Sequence, residues 1–192
     1  MPYPYLLLAS FIFNFSTVIS FPYFITLLQN HFDIHSGVML GFLFGLPHVV
    51  YLISIFTLQK HQQKPSHQTW MFIISLIILA LSFYWQSLTA SFSILITMRI
   101  LMGVAITLGF ISLNRMISTL KLQKQEGKVF GWLDSISKWA GVCAGLIAGI
   151  SYQSLGITAP FAIGGFVLLI TSLFLSIYLC KRQHMITRSY HA

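Results

Sequence analysis

The chain has 192 residues, a hydrophobic fraction of 56% and a formal net charge of +8, but only 7% of its residues are charged. A soluble domain usually carries about 25% charged residues, so this chain could not cover a water-exposed surface. Runs of about 20 apolar residues, the length of a helix that crosses a bilayer, recur along the sequence. The composition excludes a soluble protein and indicates an all-α polytopic membrane protein.

The positive charge does not indicate nucleic-acid binding. Most Lys and Arg residues lie in short loops between apolar runs and form no continuous basic stripe. The first apolar run has no basic residue before it and no small-residue cleavage site after it, so we interpret it as a retained span and not as a signal peptide.

Six spans within a single transmembrane domain are predicted, over residues 5–28, 38–58, 70–86, 92–113, 132–152 and 160–180. Nine of the 11 Lys and Arg residues lie on one side: between spans two and three, between spans four and five, and after span six. The positive-inside rule then places both termini and these two loops in the cytoplasm. We expect a multi-pass protein of a bacterial-type inner (cytoplasmic) membrane, with the lipid bilayer as its first partner.

Span one carries polar residues at depth, and Asn14 is the most polar of them. Polar groups inside a membrane usually face the interior of a helix bundle or a water-filled cavity. Asn14 is therefore a candidate for contact with a transported solute.

Span two begins with the glycine ladder "GVMLGFLFG", which contains Gly37, Gly41 and Gly45. His48 follows Pro47, and a proline inside a helix kinks it and frees one backbone carbonyl. His48 has two interpretations, as a proton relay or as a hydrogen-bonded packing residue. Span three, "WMFIISLIILALSFYW", is apolar nearly all round, as expected of a helix that faces lipid.

Span four contains one cation, Arg99, about seven residues from its non-cytoplasmic end and therefore roughly 10 Å deep. A charge at the centre of a span costs on the order of 3 kcal/mol. In one interpretation, Arg99 binds neighbouring backbone carbonyls and has a structural role. In the other, it lies beside a water-filled path, where it attracts an anionic group or influences a proton site.

Span five combines a charged pair with a second glycine ladder. Asp134 and Lys138 are four residues apart with the acid first, which is the better orientation for a helical ion pair. Most such pairs are structural, and a part in transport or gating is the alternative. The ladder "GVCAGLIAG" contains three glycines at four-residue intervals: Gly141, Gly145 and Gly149.

The first three spans resemble the last three in the type of helix. Spans one and four carry polar groups at depth, spans two and five carry glycine ladders, and spans three and six are apolar throughout. Small residues favour the close approach of helices in lipid, so spans two and five are predicted to be packing helices. Because each triplet has an odd number of spans, the second is inverted relative to the first, as in the three-plus-three repeats of secondary transporters.

With this pattern of six spans, the sequence resembles the major facilitator superfamily. "MRILMGVAITLGF" is similar to the family's fourth-helix signature, an Arg followed four residues later by a Gly, which are Arg99 and Gly103 in this chain. In the family this Arg is associated with coupling. "GKVFGWLDSISKWAGVCAGLIAGI" is similar to the fifth helix of the drug and proton antiporter branch. Met102 stands where the signature often has Gln, Leu146 replaces an expected Pro, and the family's signature between spans two and three is missing.

The resemblance implies one six-helix half of a carrier, more in keeping with the second half than with the first, which is the alternative. It also implies that spans one and four line the path, that spans two and five face the partner half, and that spans three and six are peripheral. Gly103 and both glycine ladders then belong to the packing and half-to-half contacts. The partner would be a complementary six-helix half or a second copy of the chain.

A small solute is the expected substrate, and efflux rests on the family likeness alone. Arg99 and Lys138 favour an anionic or zwitterionic solute over a cationic drug.

Asp33, Glu126 and Asp134 are the only carboxylates and none is predicted near the membrane centre, so a proton-driven carrier would need a coupling acid from a different polypeptide. No nucleophile and base pair, carboxylate dyad or metal-ligand set lies at depth, so we expect neither an enzyme nor a cofactor. The alternatives are a non-transporting membrane scaffold and an inactive remnant of a split transporter gene.

Overall fold

The structure, a computed structural model, describes residues 3–58, 65–119 and 126–190. Within these ranges it contains helices and no strands. Four cations used in the orientation argument, Lys60, Lys64, Lys121 and Lys124, lie outside the described residues. The helices are α1 (Tyr3–Ile19), α2 (Phe21–Phe32), α3 (Gly37–Leu58), α4 (Pro65–Leu88), α5 (Phe92–Ser118), α6 (Glu126–Leu155) and α7 (Ala159–Tyr190).

Six segments of the described chain are long and apolar enough to cross a membrane. α1 and α2 together form the first, Tyr3–Phe32, and each of the other helices supplies one. The prediction of an all-α membrane protein with six spans is therefore confirmed.

We predicted one continuous helix for the first span, but the structure contains two helices that meet at Ser20. Pro22 lies in the first turn of α2 and has no N–H, so it cannot donate a hydrogen bond to the carbonyl four residues earlier. Pro22 therefore favours a break at this point, whereas α3 continues through Pro47. α2 then ends at Phe32 and is capped by Asp33, which has a left-handed φ of 53°.

Several helices extend beyond the apolar runs that predicted them. α5 continues to Ser118, α6 begins at Glu126 and α7 continues to Tyr190. Hydropathy marks only the part of a helix that suits lipid, whereas backbone hydrogen bonds continue into the polar flanks. Asp134 therefore lies eight residues inside α6 and not at its start.

The main helix contacts follow the predicted repeat. α1 packs on α6 as α3 packs on α5, and α1 packs on α7 as α4 packs on α5. The remaining large contact, α4 on α7, joins the third helix of each triplet. Exchanging the two triplets maps these five contacts onto one another, which is the pattern expected of a three-plus-three repeat.

Burial separates the six spans into two groups. In the most apolar stretch of each span, 56% of the residues are buried in α4, but only 17% in α3 and 22% in α6. The expectation that span three mainly faces lipid is corrected, because α4 packs on both α5 and α7 and exposes a single stripe that includes Ile74, Ile77, Leu81 and Tyr84. The two glycine-ladder helices are the least covered.

Candidate functional site

A cavity of about 340 Å³ lies among the first, second and fourth spans. Its wall combines aromatic rings with a few polar groups, and it has no carboxylate. α1 and α2 form one side, α3 the second and α5 the third. The lining residues are Asn14, Thr17, Val18, Phe21, Pro47, His48, Tyr51, Ile106 and Phe110.

Asn14 connects this cavity to α6. Its side-chain amide donates hydrogen bonds to the Ser10 carbonyl at 2.8 Å and to the Ser137 hydroxyl at 3.1 Å. Both N–H groups of the amide are therefore satisfied within the protein. The amide oxygen, which accepts no hydrogen bond from the described residues, remains available to a donor in the cavity.

His48 contributes an exposed imidazole to the cavity wall. Its ring lies 5.6 Å from the ring of Phe21 and 6.4 Å from that of Phe44, measured between centroids. Tyr51 lies three residues further along α3 and lines the same cavity. The turn of α3 that follows Pro47 thus supplies the titratable part of the wall.

Arg99 is fully buried and binds the backbone of α3. Its Nε donates to the Leu43 carbonyl at 3.1 Å and its Nη2 donates to the Phe44 carbonyl at 2.7 Å. The Leu43 carbonyl is the one that Pro47, four residues later, leaves without an intrahelical donor. The ring of Phe24 covers the guanidinium at 3.7 Å from its centroid, a cation–π geometry. Arg99 therefore connects α5, α3 and α2 at the proline kink.

The structure does not place Arg99 beside a water-filled path, which corrects the second of the two interpretations of this residue. Arg99 does not line the cavity, although Ile106 and Phe110 of the same helix do. Its position matches the other interpretation, in which the guanidinium binds backbone carbonyls. A side chain with several donors satisfies carbonyls that lipid could not, so burial among helices is the more favourable place for it.

Gly103 lies one turn after Arg99 and allows α5 to approach the same kink. A Cβ atom built on Gly103 would lie 2.6 Å from the Pro47 carbonyl oxygen and 2.7 Å from Cβ of Val50. No larger residue fits there without moving the backbone. Gly103 is thus a packing glycine within the six-helix unit, and Arg99 and Gly103 together dock α5 onto α3.

The two glycine ladders are open on the side where a side chain would project. No atom lies within 4 Å of a Cβ built on Gly37, Gly41, Gly45, Gly141 or Gly145, and Gly149 would meet only the Tyr23 hydroxyl at 3.6 Å. The ladders therefore do not mediate helix packing within the described unit. Large apolar side chains such as Phe42 and Leu146 lie exposed beside them.

Asp134 and Lys138 form an ion pair of 2.6 Å on α6, and their side chains are 64% and 75% exposed. Lys138 lies three residues from the midpoint of the span Gly127–Leu155, which is about 5 Å along the helix axis. With Ser135, Trp139 and Val142 it lines a shallow cavity of about 260 Å³. An exposed cation as close to the middle of a span as Lys138 favours water or protein beside it, because contact with acyl chains would be costly.

The structure brings together some of the predicted site residues and separates others. Asp134 and Lys138 form an ion pair. Asn14 binds Ser137, the residue before Lys138, but Asn14 and Lys138 line different cavities. Arg99 lines neither cavity. Sequence reasoning missed Tyr51 and Ser137 as site residues. The spacing of Tyr51 from His48, three residues, could have indicated it, whereas no sequence pattern indicates Ser137. The described part of the chain holds no group of three or more His, Cys, Asp or Glu side chains suited to a metal ion.

Comparison with known proteins agrees with this architecture. The sequence model described as Major Facilitator Superfamily matches residues 4–189. A crystal structure of the human organic anion transporter MFSD10 (TETRAN) superposes with a TM-score of 0.78 at 21% sequence identity. The match covers 88% of this chain but 39% of that chain, so this chain spans about two fifths of its length. No curated protein sequence matches. Because the family match extends along nearly the whole sequence, the chain belongs to the major facilitator superfamily, a family of multi-pass membrane transporters.

Proposed function

We propose that this chain is one six-helix half of a secondary transporter that moves a small solute across the cytoplasmic membrane by alternating access. The observation that carries the proposal is the exposed pair of Asp134 and Lys138, close to the middle of a span. Lys138 is the closer of the two to the midpoint, and a charge at the centre of a span costs about 3 kcal/mol against lipid. A path that holds water and solute between two six-helix units removes this cost.

The second unit would cover the face formed by α3 and α6, which are the least buried helices. The open glycine ladders on this face allow a partner helix to approach closely. The second unit is either a complementary half, on the same polypeptide or on another, or a second copy of this chain. The cavity lined by Asn14 and His48 would then form one wall of the path.

The solute we propose is an organic anion or zwitterion with an apolar, aromatic part. Lys138 is the cation that lies exposed near the middle of a described span, and Trp139 beside it offers an aromatic surface. Arg99 no longer supports this preference, since its donors are directed at the Leu43 and Phe44 carbonyls. The related human structure is named as an organic anion transporter, which agrees with the same class.

The family branch, the half of the carrier, the membrane orientation and the direction of transport that we propose rest on the sequence. The letters between Arg99 and Gly149 support the drug and proton antiporter branch, and the absence of the loop signature supports the second half of a carrier. The distribution of Lys and Arg supports cytoplasmic termini in the inner membrane. Export is the direction that this branch suggests.

The decisive experiment measures the movement of 5-carboxyfluorescein, an aromatic organic anion, in cells that express the chain with and without its six-helix partner. We expect Asn14→Leu to reduce the rate about tenfold at unchanged membrane insertion, because one hydrogen-bond acceptor in the path is worth about 1 to 1.5 kcal/mol. Ser82→Ala, a buried substitution on α4 away from the cavity, is the matched control. If no anion or zwitterion moves with any partner, the chain is a membrane scaffold or an inactive remnant.

A second prediction concerns the charge of the solute. Lys138→Gln is expected to reduce the transport of 5-carboxyfluorescein by about tenfold to a hundredfold, since a hydrogen bond to a charged group contributes about 1.5 to 3 kcal/mol. Lys128→Gln removes an exposed cation from the same helix, outside the path, and should have little effect. An equal loss in both variants would contradict a specific role for Lys138 and indicate general electrostatic attraction.

A further inference from the structure

α1 and α7 form an exposed groove of about 250 Å³ that is separate from the proposed path. Ala9 is buried and forms its floor, while Leu8 and Phe174 are exposed at its rims. Two side chains in its wall carry a polar atom, Tyr5 and Thr171. The Thr171 hydroxyl donates to the Val167 carbonyl. Apart from the Tyr5 hydroxyl, the groove therefore offers a slot of apolar surface to the surrounding lipid.

One end of the groove is marked by two stacked tyrosines. The rings of Tyr5 and Tyr178 lie 5.7 Å apart between centroids, and Tyr5 lines the groove itself. Tyrosine is enriched where a membrane meets water, because its ring is apolar and its hydroxyl is polar. This end of the groove therefore lies at the level of the lipid headgroups.

A cation lies one turn beyond the tyrosine pair. Lys181 follows Tyr178 by three residues on α7, which places both on the same side of the helix, and Lys181 is exposed. Arg182 and Arg188 follow in the sequence, and neither α1 nor α7 contains Asp or Glu. The charge of Lys181 is therefore not neutralised by a carboxylate of the helices that form the groove.

We propose that this groove is a binding site for an anionic phospholipid. One acyl chain lies between α1 and α7, and the phosphate is bound by Lys181 with the hydroxyls of Tyr5 and Tyr178. A basic residue near a membrane surface attracts anionic lipid with about a fivefold increase in affinity. This inference requires only that the chain spans a membrane and does not depend on the proposed transport.

The test is native mass spectrometry of the full chain, released from detergent with phosphatidylglycerol or phosphatidylcholine of identical acyl chains. We expect phosphatidylglycerol to be retained about fivefold more strongly, and Lys181→Gln to remove this preference. Lys128→Gln is the matched control, because Lys128 is an exposed cation on α6 that does not adjoin the groove. Thr171→Phe, which fills the groove, should reduce the binding of both lipids.

Three results would overturn the proposal. Equal retention of the two lipids by the unmodified chain would exclude anionic recognition. Equal loss of preference in Lys181→Gln and Lys128→Gln would assign it to overall charge. Full competition by inorganic phosphate would show a headgroup site that does not use the groove. The circular dichroism of each variant checks that the helices are intact, so a misfolded variant is replaced by Tyr5→Phe, which removes only a hydroxyl.

Discussion

Replacing Arg99 by Met should lower the free energy of unfolding by about 2 kcal/mol, measured by titration with sodium dodecyl sulfate in mixed micelles. The substitution keeps most of the apolar volume but removes the donors to the Leu43 and Phe44 carbonyls. An unpaired buried carbonyl costs about 1 to 3 kcal/mol. Loss of the buried positive charge offsets part of this cost, which is why we expect a value in the middle of the range.

The specific cause is tested by restoring the missing donor within α3. In Pro47→Ala the new N–H can donate to the Leu43 carbonyl, as in an unbroken helix. Arg99→Met should therefore cost about 1 kcal/mol less in the Pro47→Ala background than in the unmodified chain, a coupling that a double-mutant cycle measures. Arg99→Lys should retain only part of the stability, because an ammonium group cannot reproduce the planar fork of a guanidinium.

Measurements of transport distinguish the backbone-binding role of Arg99 from a direct role in the path. His48 and Tyr51 follow the kink and line the cavity, so a relaxed kink displaces them and reduces flux together with stability. If Arg99→Met abolished flux while the free energy of unfolding stayed unchanged, Arg99 would act on the solute or on a proton and not on the backbone. Lys128→Met, an exposed substitution, is the control for loss of a cation.

Much of the fold could be predicted from the sequence, because hydrophobicity and length determine which segments cross a membrane. The break at Ser20 could have been inferred from Pro22, but the long apolar run concealed it. The starting point of α6 could not be inferred, because its first turns are polar and give no hydropathy signal. The position of Asp134 inside the helix was missed for this reason.

The candidate site was predicted less well than the fold, and Arg99 shows why. Its depth in the sequence is equally compatible with a water-filled path and with a buried contact, since both satisfy a guanidinium. Only the packing of α5 against α3 decides between them, and that packing depends on Gly103 and on the carbonyl freed by Pro47. Asn14 lines a cavity because α1 happens to place it between α3 and α6, which no local pattern encodes.

The two glycine ladders give the second prediction of large effect. Gly41→Leu and Gly145→Leu should leave the six-helix unit folded, because a Cβ at either position meets no atom of the described chain. The same substitutions should abolish assembly with a second unit, since a leucine on a glycine face keeps a partner helix from close approach. We expect flux to fall at least tenfold and the particle mass in nanodiscs, measured by light scattering, to change from two units to one.

Gly103→Leu is the matched control with the opposite expected result. The built Cβ at this position lies 2.6 Å from the Pro47 carbonyl oxygen, and backbone cannot move aside as a flexible side chain can. Overpacking of this kind costs about 1 to 3 kcal/mol or more, so the variant should lose stability in mixed micelles. The three substitutions are chemically identical, and they differ only in what each glycine faces.

The pattern of outcomes then distinguishes a carrier half from a self-sufficient bundle. Loss of stability in all three variants would mean that the ladders pack within the unit, contrary to the open faces of Gly41 and Gly145. Unchanged particle mass and flux in Gly41→Leu and Gly145→Leu would leave the charged pair on α6 without a protein neighbour. In that case Asp134 and Lys138 would have to be covered by water alone, and the face of α3 and α6 would not be the place where a second unit binds.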